Sequence, residues 1–272
     1  MTTRTSSSSR TSAGTGSGTR AAGKVTLLGA GPGDPDLLTI RAARVLANAD
    51  IVLLDDLANP ALASLAPNAR VIHVGKRGGC RSTPQAFIER LMLRYARTGK
   101  HVVRVKGGDA LLFGRAGEEL AALRRAGIAF EIVNGISSGF AAAAALGVSL
   151  THRDHCQGVT FVTAHRRDHS EPDWAALAAT GTTLAIYMGM SRIDSLCDAL
   201  LRVLPASTPA AVVQSASTHD ERSVCATLDR IADVARDAGL GSPAVILVGD
   251  AIGEAASSSA DAVQHALELR RA

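Results

Sequence analysis

No two cysteines in this chain stand close enough in sequence to act together. Cys80, Cys156, Cys197 and Cys225 are far apart, none of them in a CxxC pair. A chain of 272 residues can form a core without disulfide staples, so reduced thiols in a cytoplasmic protein are expected. Paired metal ligands are missing too. The cluster His152-Arg153-Asp154-His155-Cys156 has an arginine in its middle and no matching second pair. Zinc sites usually show two spaced ligand pairs or a helical HExxH, so no metal is expected. Residues 1–23 lack large apolar side chains and are rich in Ser, Thr, Gly and Arg, a composition that cannot offset the entropy of ordering. They read as a disordered tail, with neither a secretory apolar core nor the apolar face of a transit peptide. Residues 132–151 form the longest uncharged run, but Ala, Gly and Ser dominate it, so it reads as a buried helix and no membrane span is expected. Acids are absent from the first 24 residues, which hold Arg4, Arg10, Arg20 and Lys24. Without those four, 25 basic residues face 25 acidic ones. The body is neutral, and the net charge of +4 gives no support to a nucleic-acid-binding core.

What is present is the balance of a soluble globular protein, 46% apolar and 20% charged. At about 100 to 200 residues per domain, the length allows one large domain or two modest ones. Short apolar runs at 25–28, 51–54, 71–74, 102–105 and 129–133 alternate with helical patterns. One helix is expected from Pro35 with Asp34 as its cap, a short one from Pro60, one carrying Phe87, Ile88, Leu91 and Tyr95, and one from Gly114 to about Arg125. Strands apolar on both faces and separated by helices indicate a parallel sheet covered on two sides. In such sheets ligands bind outside the carboxyl ends of the strands. Those ends carry residues 29–34, Asp55, Gly75-Lys76-Arg77 and Gly107-Gly108-Asp109. The two glycines before Asp109 remove the Cβ atoms that would keep a polar ligand off the main chain.

After the turn-rich segment 134–139 the texture changes. Strands are expected at 159–163, 183–188, 211–214 and 244–248, with helices near 191–204 and 228–238. The division expected is a tail at 1–23, an N-terminal α/β domain at 24–134, a C-terminal α/β domain at 135–253 and an extension at 254–272. No repeat of 20 to 50 residues is visible, which excludes a solenoid. A dinucleotide oxidoreductase fails at the third position of the glycine fingerprint, where Asp34 followed by Pro35 replaces the small residue needed for close helix packing.

The stretches VTLLGAGPGDPDLLT, ADIVLLDDL, VGKRGG with STPQ, VVRVKGGDALLFGRAGEE, VNGISSG, GVSLTHRDH, TFVTAH, IYMGM and SPAVILVG run in one order across residues 23–253. Together they resemble the S-adenosylmethionine-dependent tetrapyrrole methylases, and among them the uroporphyrinogen-III C-methyltransferases. The resemblance implies a two-domain α/β fold with a parallel-sheet N-terminal domain, a mixed-sheet C-terminal domain and the cofactor cleft between them. It also implies a homodimeric enzyme that methylates uroporphyrinogen III to precorrin-2. The cofactor would lie against Pro32, Gly107, Gly108, Asp109, Leu112, Ser137, Ser138, Met188 and Ala216, with Asp109 suited to its ribose hydroxyls or amino group. Asp55 matches the family's proton acceptor and Lys76 its donor. Arg115 and Arg153 match positions near the tetrapyrrole, with Glu118 able to orient Arg115. A substrate with many carboxylates suits forked guanidinium donors.

The chain departs from the family pattern at Leu54-Asp55-Asp56, Asp109-Ala110-Leu111, Val133-Asn134-Gly135 and Thr163-Ala164-His165. Those departures bear on the cofactor loop and on the preference among tetrapyrroles. The dehydrogenase and chelatase module fused ahead of some relatives is not seen, so methylation alone is expected. A sister methylase of a later corrinoid and a cofactor-binding protein without turnover are the alternatives.

Overall fold

The computed structural model describes residues 23–75, 83–164 and 170–254. Lys76, Cys80, His165, the tail through residue 22 and the extension from residue 255 lie outside the described residues.

Two five-stranded sheets make up the fold. The first contains β1 (Lys24–Gly29), β2 (Ile51–Leu54), β3 (Arg70–His73), β4 (His101–Lys106) and β5 (Ala129–Val133), all parallel, in the order β3-β2-β4-β1-β5. Successive side chains of a strand point to opposite faces. Leu27, Leu53 and Val102 therefore meet Ile88 and Met92 of α2 (Gln85–Arg97) and Leu120 and Leu123 of α3 (Ala116–Arg125) on one face. Leu28, Leu54 and Val105 meet Ala42 and Leu46 of α1 (Ile40–Ala47) on the other. Each fully buried leucine contributes about 1.5–3 kcal/mol. Connections leaving β1 and β4 pass to opposite faces, so the chain opens a crevice between these neighbouring strands at their carboxyl ends.

The second sheet is mixed. It contains β6 (Val159–Thr163), β7 (Thr183–Tyr187), β8 (Pro209–Gln214), β9 (Arg222–Thr227) and β10 (Ala244–Val248), in the order β6-β7-β10-β8-β9. Only β6 and β7 run parallel. α4 (Ser138–Leu146) covers one face with Ala141, Ala142 and Ala143 against Ala185, Val213 and Leu247. α5 (Trp174–Ala178), α6 (Ile193–Leu201) and α7 (Ile231–Asp237) cover the other. Among the described residues no helix is long and apolar enough to cross a membrane.

Two expectations need correction. The helix drawn from Pro35 is a single 3-10 turn, Pro35–Leu37, that Asp34 does cap. Leu38 is extended and Thr39 caps a fresh start at Ile40. Asp34 uses its carboxylate on the amide of Asp36, which suits the tighter turn. β9 and α5 were not expected at all. β9 is an edge strand that begins with the exposed polar pair Arg222-Ser223, and α5 is only five residues long.

Candidate active site

The carboxyl ends of β1, β4 and β5 meet closely through their main chain. Ala30 donates its amide to the Lys106 carbonyl at 2.8 Å. One step further, Gly108 donates to the Gly31 carbonyl at 2.7 Å and Gly31 donates back at 3.2 Å, so the two loops cross as a short antiparallel bridge. A Cβ on Gly29 would lie 2.6 Å from the Gly135 nitrogen and 2.7 Å from the Gly108 oxygen. No side chain fits there. Asp109 fastens the junction: its Oδ1 accepts from the Leu111 amide at 2.8 Å, and its Oδ2 accepts from Asn134 Nδ2 and the Gly135 amide at 3.1 Å each. A carboxylate has about four acceptor sites, so three of those on Asp109 already serve the protein. These bonds hold the β4 and β5 loops together. Gly108 has φ +65°, and the nearest atom to a Cβ built on it is Ser137 Cα at 3.8 Å. A Cβ there would meet the start of α4 at ordinary contact distance.

The second sheet reaches this edge at two points. From the end of β7, the Tyr187 hydroxyl lies 2.7 Å from Ser137 Oγ and accepts from the Gly139 amide at 2.7 Å. Its ring centroid is 4.9 Å from that of Phe113, the neighbour of Leu112. Met188, next in sequence, is exposed with φ +58°. After β8, Ser215 and Ser217 also take positive φ and flank the buried Ala216, while Ser217 Oγ accepts from the Asp34 amide at 3.2 Å. Pro32, Gly107, Gly108, Asp109, Leu112, Ser137, Ser138, Met188 and Ala216 thus come from both sheets to one edge.

Beneath that edge lies a chain of buried charges. Arg104 and Lys106 are two residues apart in β4, so both point under α3, where Glu119 is 0% exposed. Glu119 Oε1 accepts from Arg104 Nε at 3.2 Å and from Gln85 Nε2 at 3.1 Å, and its Oε2 accepts from Lys106 Nζ at 3.0 Å. Arg104 continues outward, donating from its Nη2 to Asp55 Oδ2 at 2.6 Å and from its Nη1 to its neighbour's carbonyl. Of the four charged groups Asp55 alone reaches solvent appreciably, with 29% of its side chain exposed. Burial pulls the Lys106 ammonium below the ordinary lysine value, against the opposing charge of Glu119. Arg104, Lys106 and Glu119 were missed in the sequence. Two cations spaced by two in a strand covered on both faces were the available signal, because buried charges require partners.

Arg115 opens α3 in the left-handed conformation, and its Nε and Nη2 donate to Glu118 at 2.9 and 2.7 Å. This fork, the main cause, raises the guanidinium pKa, so the group stays cationic. Arg115 and Glu118 are thus paired at the start of α3. Arg153 is exposed in a turn closed by backbone bonds between His152 and Cys156, and its side chain has no ion pair among the described residues. Asp154 turns to His152 instead. In the same turn His152 and His155 gather with Glu254, three groups that could meet one ion. The Asp154 amide donates to His152 Nδ1 at 3.2 Å. His152 Nε2 faces Glu254 at 3.2 Å.

Comparison with known proteins gives a consistent result. A family model described as Tetrapyrrole (Corrin/Porphyrin) Methylases matches residues 24–232. The uroporphyrinogen-III C-methyltransferase of Pseudomonas aeruginosa is 52% identical over 84% of this chain and 94% of its own length. The siroheme synthase of Chromobacterium violaceum is 48% identical over 85% of this chain, which spans only half of that longer protein. A crystal structure of uroporphyrin-III C-methyl transferase from Thermus thermophilus complexed with S-adenyl homocysteine superposes with TM-score 0.73 at 38% identity, covering 84% of this chain and 98% of the other. With the crossed glycine loops and the facing second sheet, these likenesses establish that the chain belongs to the tetrapyrrole (corrin/porphyrin) methylase family.

Proposed function

We propose that this chain transfers methyl groups from S-adenosylmethionine to two pyrrole-ring carbons of uroporphyrinogen III, giving precorrin-2 by way of precorrin-1. The observation that carries the reading is the close meeting of main chain at Gly29, Gly108 and Gly135 opposite Met188 and Ala216. Gly108 has no Cβ, which suits close approach of the cofactor to its main chain. When bound, S-adenosylmethionine supplies a sulfonium methyl open to in-line attack by an electron-rich ring carbon.

The chain's own part is chiefly to hold the reactants at near-attack distance. Asp109 acts by fixing the loop that carries Gly107 and Gly108, and Pro32, Leu112, Ser137 and Ser138 shape the rest of the cofactor's surroundings. Asp55 takes the proton that leaves the methylated ring. Its Oδ2 is held by Arg104, and Oδ1 has no partner among the described residues. Lys76 has the donor role by resemblance. Arg115, oriented by Glu118, and Arg153 receive substrate carboxylates through the donors that remain to them. The two sheets act as two domains of a cytoplasmic homodimer, a state that light scattering in solution measures directly. Incubation with labelled S-adenosylmethionine and uroporphyrinogen III should yield a doubly methylated product. Binding of S-adenosylhomocysteine with no transfer to this substrate would refute the reading.

A further inference from the structure

The buried charges under α3 have a direction. At one end Lys106 is enclosed, with 4% of its side chain exposed. At the other end Asp55 reaches the crevice, and Glu119 joins the two through Arg104. The arrangement is neutral, with two cations and two carboxylates. A hydrophobic replacement would fill the same space at similar or lower cost, since buried ion pairs are seldom the most stable solution. What the charges add is geometry. Arg104 spends Nε on Glu119 and Nη1 on a backbone carbonyl, so its planar fork is locked before Nη2 meets Asp55.

We propose that Glu119 is a positioning residue for methylation: its carboxylate fixes Arg104, and Arg104 in turn fixes the Asp55 carboxylate at the end of β2. This rests on the reading of Asp55 as proton acceptor. Glu119 touches neither cofactor nor substrate, and its nearest partners are Arg104, Lys106 and Gln85. Its loss therefore acts on turnover through Asp55 and leaves binding alone.

The test is a double-mutant cycle on the full chain with Asp55→Asn, Glu119→Gln and both together, each checked for folding by circular dichroism and thermal melting. Glu119→Gln should lower kcat by about ten- to a hundredfold, the scale of a misplaced catalytic group. KM for uroporphyrinogen III and the Kd for S-adenosylhomocysteine should change by less than about twofold, since every contact made by Glu119 lies within the chain. In the Asp55→Asn background, Glu119→Gln should have no further effect on kcat, because its route is already cut. Should Glu119→Gln unfold the chain, the pair Lys106→Met with Glu119→Gln removes one charge of each sign and should show the same kcat loss. Full kcat in folded Glu119→Gln, or an equal loss with and without Asp55, overturns the inference while Asp55 keeps its role. An Asp55→Asn chain as fast as the wild type overturns the reading of Asp55, and this inference with it.

Discussion

Gly135→Ala tests how rigidly the three crossing loops are fixed. The new methyl would press on the Gly108 carbonyl oxygen and lie 2.7 Å from the Gly29 carbonyl carbon and oxygen. All of these are backbone atoms. Relief to ordinary contact requires a movement of about 1 Å. The Gly108 carbonyl cannot retreat that far without stretching its bond from the Gly31 amide at 3.2 Å, and the β5 loop cannot retreat without losing the Gly135 amide to Asp109 at 3.1 Å. Overpacking costs about 1–3 kcal/mol, and one weakened hydrogen bond adds about 1. The sum is about 2–4 kcal/mol, a fall in Tm of about 4–16 °C for a folded region of this size. Because the same movement carries Gly108 away from Gly31, S-adenosylhomocysteine measured by titration calorimetry should bind at least about tenfold more weakly, corresponding to about 1.4 kcal/mol. An alanine variant that melts within about 2 °C of the wild type and binds the ligand equally well would show that the loops yield freely, refuting the idea that they form a fixed cradle.

Gly108→Val places a β-branched residue at φ +65°, costing roughly 1–2 kcal/mol or more in backbone strain, and sets its side chain against Ser137 and Ser138. S-adenosylhomocysteine binding should be lost in a chain that still folds by circular dichroism. Arg115→Ala should raise KM for uroporphyrinogen III by about tenfold, as loss of a charge-assisted contact does, and leave the S-adenosylhomocysteine Kd unchanged. Equal loss of both ligands would refute that division of labour. Lys106 binds its proton less tightly folded than unfolded, chiefly because it is buried, so its folded pKa lies below the unfolded value near 10.5. Its penalty on stability is therefore complete below the folded pKa and is relieved as pH rises from there toward 10.5. Denaturant titrations across that window should show a smaller gain of stability with pH in Lys106→Met with Glu119→Gln than in the wild type.

The sequence made strand ends of the first sheet legible because apolar runs stop at Gly29, Asp55 and Gly75, and the parallel order follows from the intervening helices. It hid the charge chain. Val102 to Val105 reads as an apolar strand with one tolerated arginine, and only the cover of α3 reveals that Arg104 and Lys106 have no route to water. The structural bonds of Asp109 were hidden for a related reason. A carboxylate after two glycines looks available to a ligand, but Asn134 and Gly135, 25 and 26 residues later, compete for it. β9 was invisible because an edge strand with a solvated start lacks the alternation that marks half-buried strands. Tyr187 stands beside Met188 in the stretch IYMGM, and its hydroxyl bonds to Ser137 and Gly139 depend on a pairing of distant segments that no local pattern encodes.

That tyrosine decides which half of the molecule carries α4. The helix follows β5 directly in sequence, yet its first turn is pinned to β7 and its alanines rest on the second sheet. Swinging the two halves apart would carry Ser137 and Ser138 along with Met188, and the bending would fall on the few residues between Val133 and Ser137. Asp109 already grips that short span at Asn134 and Gly135. A carboxylate of the first half therefore braces the span by which the chain passes from one sheet to the other.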